Sequence, residues 1–243
     1  MHTLSLIESP GVSGAVVGRD GGVSPAPYDS LNLSFGVGDA SEHVRENRRR
    51  LKAAFGIGVL ASAGQVHGDE VWVIDEPLTQ DTELAGYDAL VTNQPGIGLL
   101  IQQADCQAVL LHDPGHKVVA NIHAGWRGSV AGIIGKTIRT MTERFGTRPG
   151  DLRAGISPSL GPCCAEFVNY QIELPLELHG YQVGQNHFDF WAISREQLRQ
   201  GGVREERIDT IGICTKCSPE YFSFRRDRVT GRFGSVIMLA PAA

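Results

Sequence analysis

Ala89-Leu90-Val91-Thr92, Ile97-Gly98-Leu99-Leu100-Ile101, Ala108-Val109-Leu110-Leu111 and Val118-Val119-Ala120-Asn121-Ile122 follow one another closely, each bounded by Gly, Asp or Pro. Short apolar runs cut by turn residues read as buried strands. With Val71 to Ile74 before them they make a sheet-building region. Downstream, Val130, Ile133, Ile134, Ile138, Met141 and Phe145 form the apolar stripe of a helix that stops at Gly146, with Pro149 just beyond. Upstream, Asp39 and Glu42 have the spacing of a capping box, and Val44, Leu51 and Phe55 recur on one face of a helix ending at Gly56. That helix should cover a sheet, with Arg48-Arg49-Arg50 as its solvated face.

After Gly150 the pattern predicts helices over roughly Ile172 to Glu177 and Asp189 to Gln200, then a strand at Asp209 to Ile213. Tyr221 to Asp227 and Gly231 to Leu239 read as two final strands joined by a turn. Strands alternating irregularly with a few helices, closed by antiparallel pairing, predict an α+β protein: one mixed α/β sandwich with helices packed outside. No linker divides the chain, so 1–243 is expected to be a single domain.

The 243 residues, 42% of them hydrophobic, suffice for a sizeable core. A formal charge of -5 argues against a nucleic-acid partner and favours a small polar substrate. No segment approaches the roughly 20 apolar residues of a membrane span, and Met1 to Glu8 lacks the features of a signal peptide. Five cysteines, an odd number, fit a reducing compartment where thiols serve metal or catalysis. The expectation is a cytoplasmic protein, of an oligomeric state that the sequence leaves open.

Three residues could define a functional site: His67 in Gln65-Val66-His67-Gly68-Asp69, Cys106 in Ala104-Asp105-Cys106, and His123 in His123-Ala124-Gly125-Trp126-Arg127-Gly128. Each falls in a turn or at a strand end, where one sheet margin can gather them. If they converge, one thiolate and two imidazoles can hold zinc and leave its fourth position open. Taken singly they have blander readings, a histidine beside a glycine as a polar turn residue and a free cysteine as a buried small hydrophobe. Their intervals are far longer than those that make a zinc site readable by spacing. Arg127 and the first-turn amides near Gly128 and Ser129 are expected to seat a phosphate. Cys214-Thr215-Lys216-Cys217 is a C-x-x-C without a second such pair, and Cys163-Cys164 lacks the spacing of a zinc ribbon, so no second metal is expected.

Gln65-Val66-His67-Gly68, Ala104-Asp105-Cys106, His123 to Gly128 and Phe222 to Asp227 continuing through Gly231-Arg232-Phe233 resemble the YfiH family, once called multicopper polyphenol oxidases or laccases. Asn32-Leu33, Gly38-Asp39, Asn47-Arg48 and Cys214-Thr215 extend the resemblance over nearly the whole chain. It implies the family's sandwich fold and a zinc site at His67, Cys106 and His123. It further implies phosphorolysis of adenosine, inosine, guanosine and methylthioadenosine, with adenosine deamination beside it. The substrates would be a purine nucleoside and phosphate. Three places depart from the family's habit: Gln102-Gln103 stand where an arginine-threonine pair is usual, Ala108 where a proline is, and Ser157 where a glycine is.

Under this reading Arg127, Gly128, Ser129 and Arg225 bind the anion, and Asp105 orients or exchanges protons at the site. Three other functions compete. A copper-dependent polyphenol oxidase is disfavoured by the scarcity of axial methionines, of which only Met1, Met141 and Met238 exist, and of histidines for several coppers. A metal-free cysteine hydrolase would use Cys106 as nucleophile and His123 as base. A peptidoglycan-precursor editing factor would be indifferent to loss of Cys106.

Overall fold

The computed structural model describes residues 2–3 and 11–241. Two six-stranded mixed sheets face each other. In the first, β1 (His2–Thr3) pairs with β2 (Val12–Val17), followed in order by β14 (Phe233–Leu239), β7 (Ile97–Gln103), β3 (Val59–Gly64) and β5 (Thr82–Ala85). In the second, the order is β13 (Ile208–Thr210), β10 (Arg153–Ile156), β8 (Gln107–Asp113), β9 (Val118–Ala124), β6 (Ala89–Thr92) and β4 (Val71–Ile74). A small hairpin, β11 (Gln182–Gly184) with β12 (His187–Phe188), lies apart.

Alternation along the strands explains the layering. Ala108 and Leu110 of β8 pack against Leu99, Ile101 and Ile237 of the opposite sheet, whereas Val109 and Leu111 point the other way, into a cluster with Ile134, Ile138 and Met141. The latter belong to α3 (Ile133–Phe145), which together with α5 (Phe190–Gln200) covers the second sheet. On the first sheet's outer face Leu51 of α1 (Ser41–Phe55) packs on Leu60, Leu100 and Val236. Both faces of the central strands are thus covered, which is why they read as continuous apolar runs. Buried Asn121 bridges the sheets, donating from Nδ2 to Leu99 O and Ser235 O, both at 2.8 Å.

The sandwich with outer helices agrees with the sequence, and five local expectations are corrected. The helix over 130–145 is interrupted at Gly132, whose φ of 77° divides it into α2 (Trp126–Ala131) and α3. Asp39 is not the N-cap of α1: Ala40 is, and Asp39 instead accepts from Ser24, Asn32 and the Ala40 amide. Arg48 is not solvated but buried, donating to Leu33 O, Ser62 Oγ and Glu83 Oε2, while Arg49 and Arg50 pair with Glu46 on the exposed side. The fourth concerns the C-terminal hairpin, replaced by a single strand, β14, preceded by the short α6 (Phe224–Asp227) that Ser223 caps by accepting from the Arg226 amide. The Ile172–Glu177 region is likewise shorter than expected, a one-turn α4 (Tyr170–Glu173) followed by a 3-10 segment.

Candidate metal centre and its pocket

Antiparallel pairing of β8 with β9 sets Gln107 opposite Ala124, so Cys106, just before β8, meets His123, at the end of β9. His67 arrives from the other sheet, in the turn after β3, with φ of 63°. Asp105, beside the cysteine, also has a positive φ, 86°. Two non-glycine residues held in the left-handed region flank this one spot, a strain the surrounding contacts must maintain.

At His67 the contact that maintains it is Asp88, a residue with no motif to mark it. Its fully buried carboxylate accepts the amides of Val66, His67 and Gly68 at 3.2, 2.9 and 2.8 Å and also binds His123 Nδ1 at 2.8 Å. One charge therefore closes the His67 turn and orients the His123 ring, leaving Nε2 directed away from the carboxylate. Burial alone would raise the Asp88 carboxyl, but the hydrogen bonds from His123, Gly68 and Val66 outweigh it and hold it below its ordinary value. A signal was present in the sequence: Asp88 immediately precedes β6, whose Ala89 pairs with Ile122, next to the ligand candidate.

His67 Nε2 lies 3.7 Å from Cys106 Sγ, the two imidazole rings are 4.8 Å apart between centroids, and all three donor atoms fall within 4.8 Å of one another. A tetrahedral cation with bonds of about 2.3 Å to sulfur and 2.0 Å to nitrogen separates such donors by about 3.6 Å. The set fits a metal. Gly125 completes the packing, because a Cβ there would stand 2.8 Å from His67 Cδ2 and 3.2 Å from Cys106 Sγ. Burial raises the Cys106 thiol, but His123 and His67 bring it down to about 6; His123, lowered by burial, is raised by Cys106 and Asp88 to about 9.

A cavity of about 800 Å³ opens over these residues. Trp126, Phe167 and Phe224 supply aromatic wall, and Arg225 and Arg232 supply positive charge. Asp105 also lines it, but both its oxygens are engaged, accepting from Thr215 Oγ1 at 2.7 Å and the Arg225 amide at 2.6 Å. Arg232 was quoted in the sequence only for its resemblance; burial lowers its guanidinium, with Cys106 and Asp105 as opposing negative neighbours. Arg127, by contrast, is exposed and stacks on the Trp126 ring at 4.4 Å, and Arg127, Gly128 and Ser129 are not among the cavity's lining residues. Gly128 instead permits close packing against Gly68 O, which a Cβ would approach to 3.0 Å.

Gln103, Ala108 and Ser157 meet at one point. Ser157 Oγ accepts from the Ala108 amide and from Gln103 Nε2, both at 2.8 Å, and Gln103 Oε1 accepts from Ser235 Oγ. Proline at 108 would lack that amide and glycine at 157 that hydroxyl, so the two positions depend on each other. Gln102, their neighbour, lines the cavity and exchanges hydrogen bonds with Gln65.

A second donor cluster was not expected. Cys163, Cys164, Cys214 and Cys217 have sulfurs within 4.8 Å of one another. Burial would raise the Cys214 thiol, but the backbone N–H groups of Gly161 and Cys217 help to bring it below its ordinary value.

A two-sheet sandwich with a His-Cys-His donor set at the floor of a charged cavity defines a metal-associated enzyme. The chain belongs to the YfiH family, whose model, described as multi-copper polyphenol oxidoreductase laccase, matches residues 13–240. A Streptomyces griseus protein named purine nucleoside phosphorylase ORF3 is 35% identical over 235 residues, covering 93% of each chain. Among solved structures, YfiH of Bacillus licheniformis has a TM-score of 0.87 at 29% identity, covering 94% of this chain and 92% of its own. YlmD of Geobacillus stearothermophilus has 0.86 at 31%, covering 95% and 93%.

These findings correct the cofactor. Zinc was expected, yet the family description is a copper one, and the molecule carries a four-sulfur cluster besides its two-histidine, one-cysteine set. Thiolate and imidazole donors in these combinations suit copper, and a glutamine or backbone oxygen can take the axial place for which methionine was sought. Among the described residues no helix is long and apolar enough to cross a membrane.

Proposed function

We propose that the chain cleaves purine nucleosides with phosphate in the cavity above Cys106. What carries this reading is the convergence of His67, Cys106 and His123 beneath a cavity with aromatic walls and two guanidinium groups. The Streptomyces griseus relative's name, purine nucleoside phosphorylase, supports it.

Phe167, Trp126 and Phe224 offer flat surfaces to the base. Arg225 and Arg232 hold the phosphate near the anomeric carbon, which its oxygen attacks as the glycosidic C–N bond breaks. The bonding electrons leave with the purine, which takes up a proton. Asp105 acts as an orienting residue, fixing the Arg225 backbone by accepting its amide. A metal held by His67, Cys106 and His123 would supply Lewis-acid polarisation at the cavity floor. Adenosine deamination belongs to the same proposal as a second reaction, in which water attacks C6 of adenine, the exocyclic C6–N bond breaks, and ammonia leaves to give inosine.

The family description favours a second reading, polyphenol oxidation, in which His67, Cys106 and His123 would hold copper, which would supply one-electron chemistry between the polyphenol and dioxygen. One assay separates them. Adenosine with phosphate should yield adenine and ribose 1-phosphate, and none without phosphate; inosine would report deamination. Oxygen uptake with a polyphenol, and no product from adenosine, would overturn phosphorolysis in favour of oxidation.

A further inference from the structure

We propose that Cys163, Cys164, Cys214 and Cys217 form a second, closed metal site that takes one thiophilic d-block cation and staples the cavity wall to the sheet. The proposal does not depend on the reaction assigned above.

Topology brings the four sulfurs together. β10 and β13 are parallel neighbours, so the loops that follow them leave the sheet at the same margin. The first loop carries Cys163 and Cys164, the second Cys214 and Cys217. They are laced by backbone, Ser159 N donating to Ile213 O at 3.2 Å and Thr215 N to Ser159 O at 2.9 Å. Gly161 permits the approach, since a Cβ there would lie 3.0 Å from Cys214 Cβ and 2.8 Å from Trp191 Cη2.

The distances match coordination. Cys164 Sγ and Cys163 Sγ lie 3.5 and 3.8 Å from Cys217 Sγ. Four thiolates around one cation, with bonds of about 2.3 Å in a tetrahedron, stand about 3.8 Å apart. A disulfide would need about 2.05 Å, and all four cysteines are free. The C-x-x-C segment is turned for ligation, with Cys217 N and Ser218 N both donating to Cys214 O at 3.2 and 3.0 Å. Arg226 Nη1 accompanies it by donating to the carbonyls of Thr215, Lys216 and Ser218. Cys163 and Cys217 are exposed, which gives an ion a way in.

Four ligands complete a tetrahedral shell and leave no place for substrate, so the site is structural. Its mechanical reach is short and specific. Thr215, inside the C-x-x-C, donates to Asp105, which fixes the Arg225 amide, and Arg225 Nη1 donates to Glu166 O at 3.1 Å, two residues beyond Cys164. A cation here would set the positions of Arg225 and of the Glu166–Phe167 wall without touching substrate.

The test uses Co(II) as probe in the full chain carrying Cys106→Ala, which removes the first donor set. One Co(II) per chain, with an intense sulfur-to-cobalt charge-transfer band and the visible bands of tetrahedral cobalt, is expected. Adding Cys163→Ser and Cys217→Ser should abolish the band. In the unsubstituted chain, Co(II) should protect Cys163 and Cys217 from alkylation, read by peptide mass spectrometry, which serves if the variants do not fold. No sulfur–cobalt band in the folded Cys106→Ala chain, or alkylation equally fast with and without Co(II), would overturn the site and leave phosphorolysis untouched. Absence of phosphorolysis in the unsubstituted chain, with the band present in the Cys106→Ala chain, would do the reverse.

Discussion

The two donor clusters are assembled in opposite ways. His67, Cys106 and His123 sit at the ends of sheet strands, tied to Asp88 by charge-assisted hydrogen bonds, and open onto a cavity. Cys163, Cys164, Cys214 and Cys217 sit on two loops tied mainly by backbone bonds, with four donors facing each other. Three donors on a rigid margin leave room for chemistry; four on loops close upon themselves. The number of ligands and the stiffness of what carries them, more than the chemistry of sulfur, separate a reactive centre from a staple.

Substitutions can break or sharpen that contrast. Cys106→Ala should reduce phosphorolysis by more than about 100-fold while leaving the circular dichroism of the fold unchanged. Asp88→Asn should weaken metal binding at the first cluster by about 10–100-fold, read by competition with a chelator, because His123 loses its orienting charge and the His67 turn one of its two acceptor oxygens. The Co(II) spectrum of the four-cysteine cluster should not change in that variant; if it did, the clusters would be coupled. Arg232→Met should raise the KM for phosphate by about tenfold more than it lowers kcat, and an unchanged KM would remove Arg232 from anion binding.

Smaller effects test the scaffold. Ser157→Ala should cost about 1–3 kcal/mol in denaturant unfolding, since it strands the Ala108 amide and Gln103 Nε2. His112, at the end of β8 away from Cys106, is lowered to about 4 by burial and by Arg153. Between its unfolded value near 6.5 and that lower value the unfolded chain binds the proton and the folded chain does not. Stability should therefore be intact above that window and fall as pH drops through it. His112→Gln should flatten this part of the curve, and an unchanged slope would show that other groups set it.

Local signals read well where local forces decide. Leu51 and Val44 mark the buried face of α1, Gly56 ends it in the left-handed region, and Asp189 caps α5 with its side chain on the Ala192 amide. Residues whose conformation depends on distant partners were misread. Arg48 looks solvated beside Arg49 and Arg50 until Glu83 and Ser62 arrive from the first sheet. Tyr221 to Asp227 reads as a strand by its aromatic content, yet the Ser223 cap and the Asp105 acceptor turn Phe224 to Asp227 into helix.

Composition and periodicity alone determined the sandwich class and most strands of the second sheet, because buried strands and amphipathic helices write their burial into the order of apolar side chains; His67, Cys106 and His123 stood out by the family resemblance of their motifs. Only the tertiary structure decided that Asp88 organises the first cluster, that Arg232 joins the cavity, and that two cysteine pairs fifty residues apart meet at all. Those contacts depend on which strands lie side by side and on the parallel sense of β10 and β13, and pairing between distant strands leaves no period in the chain.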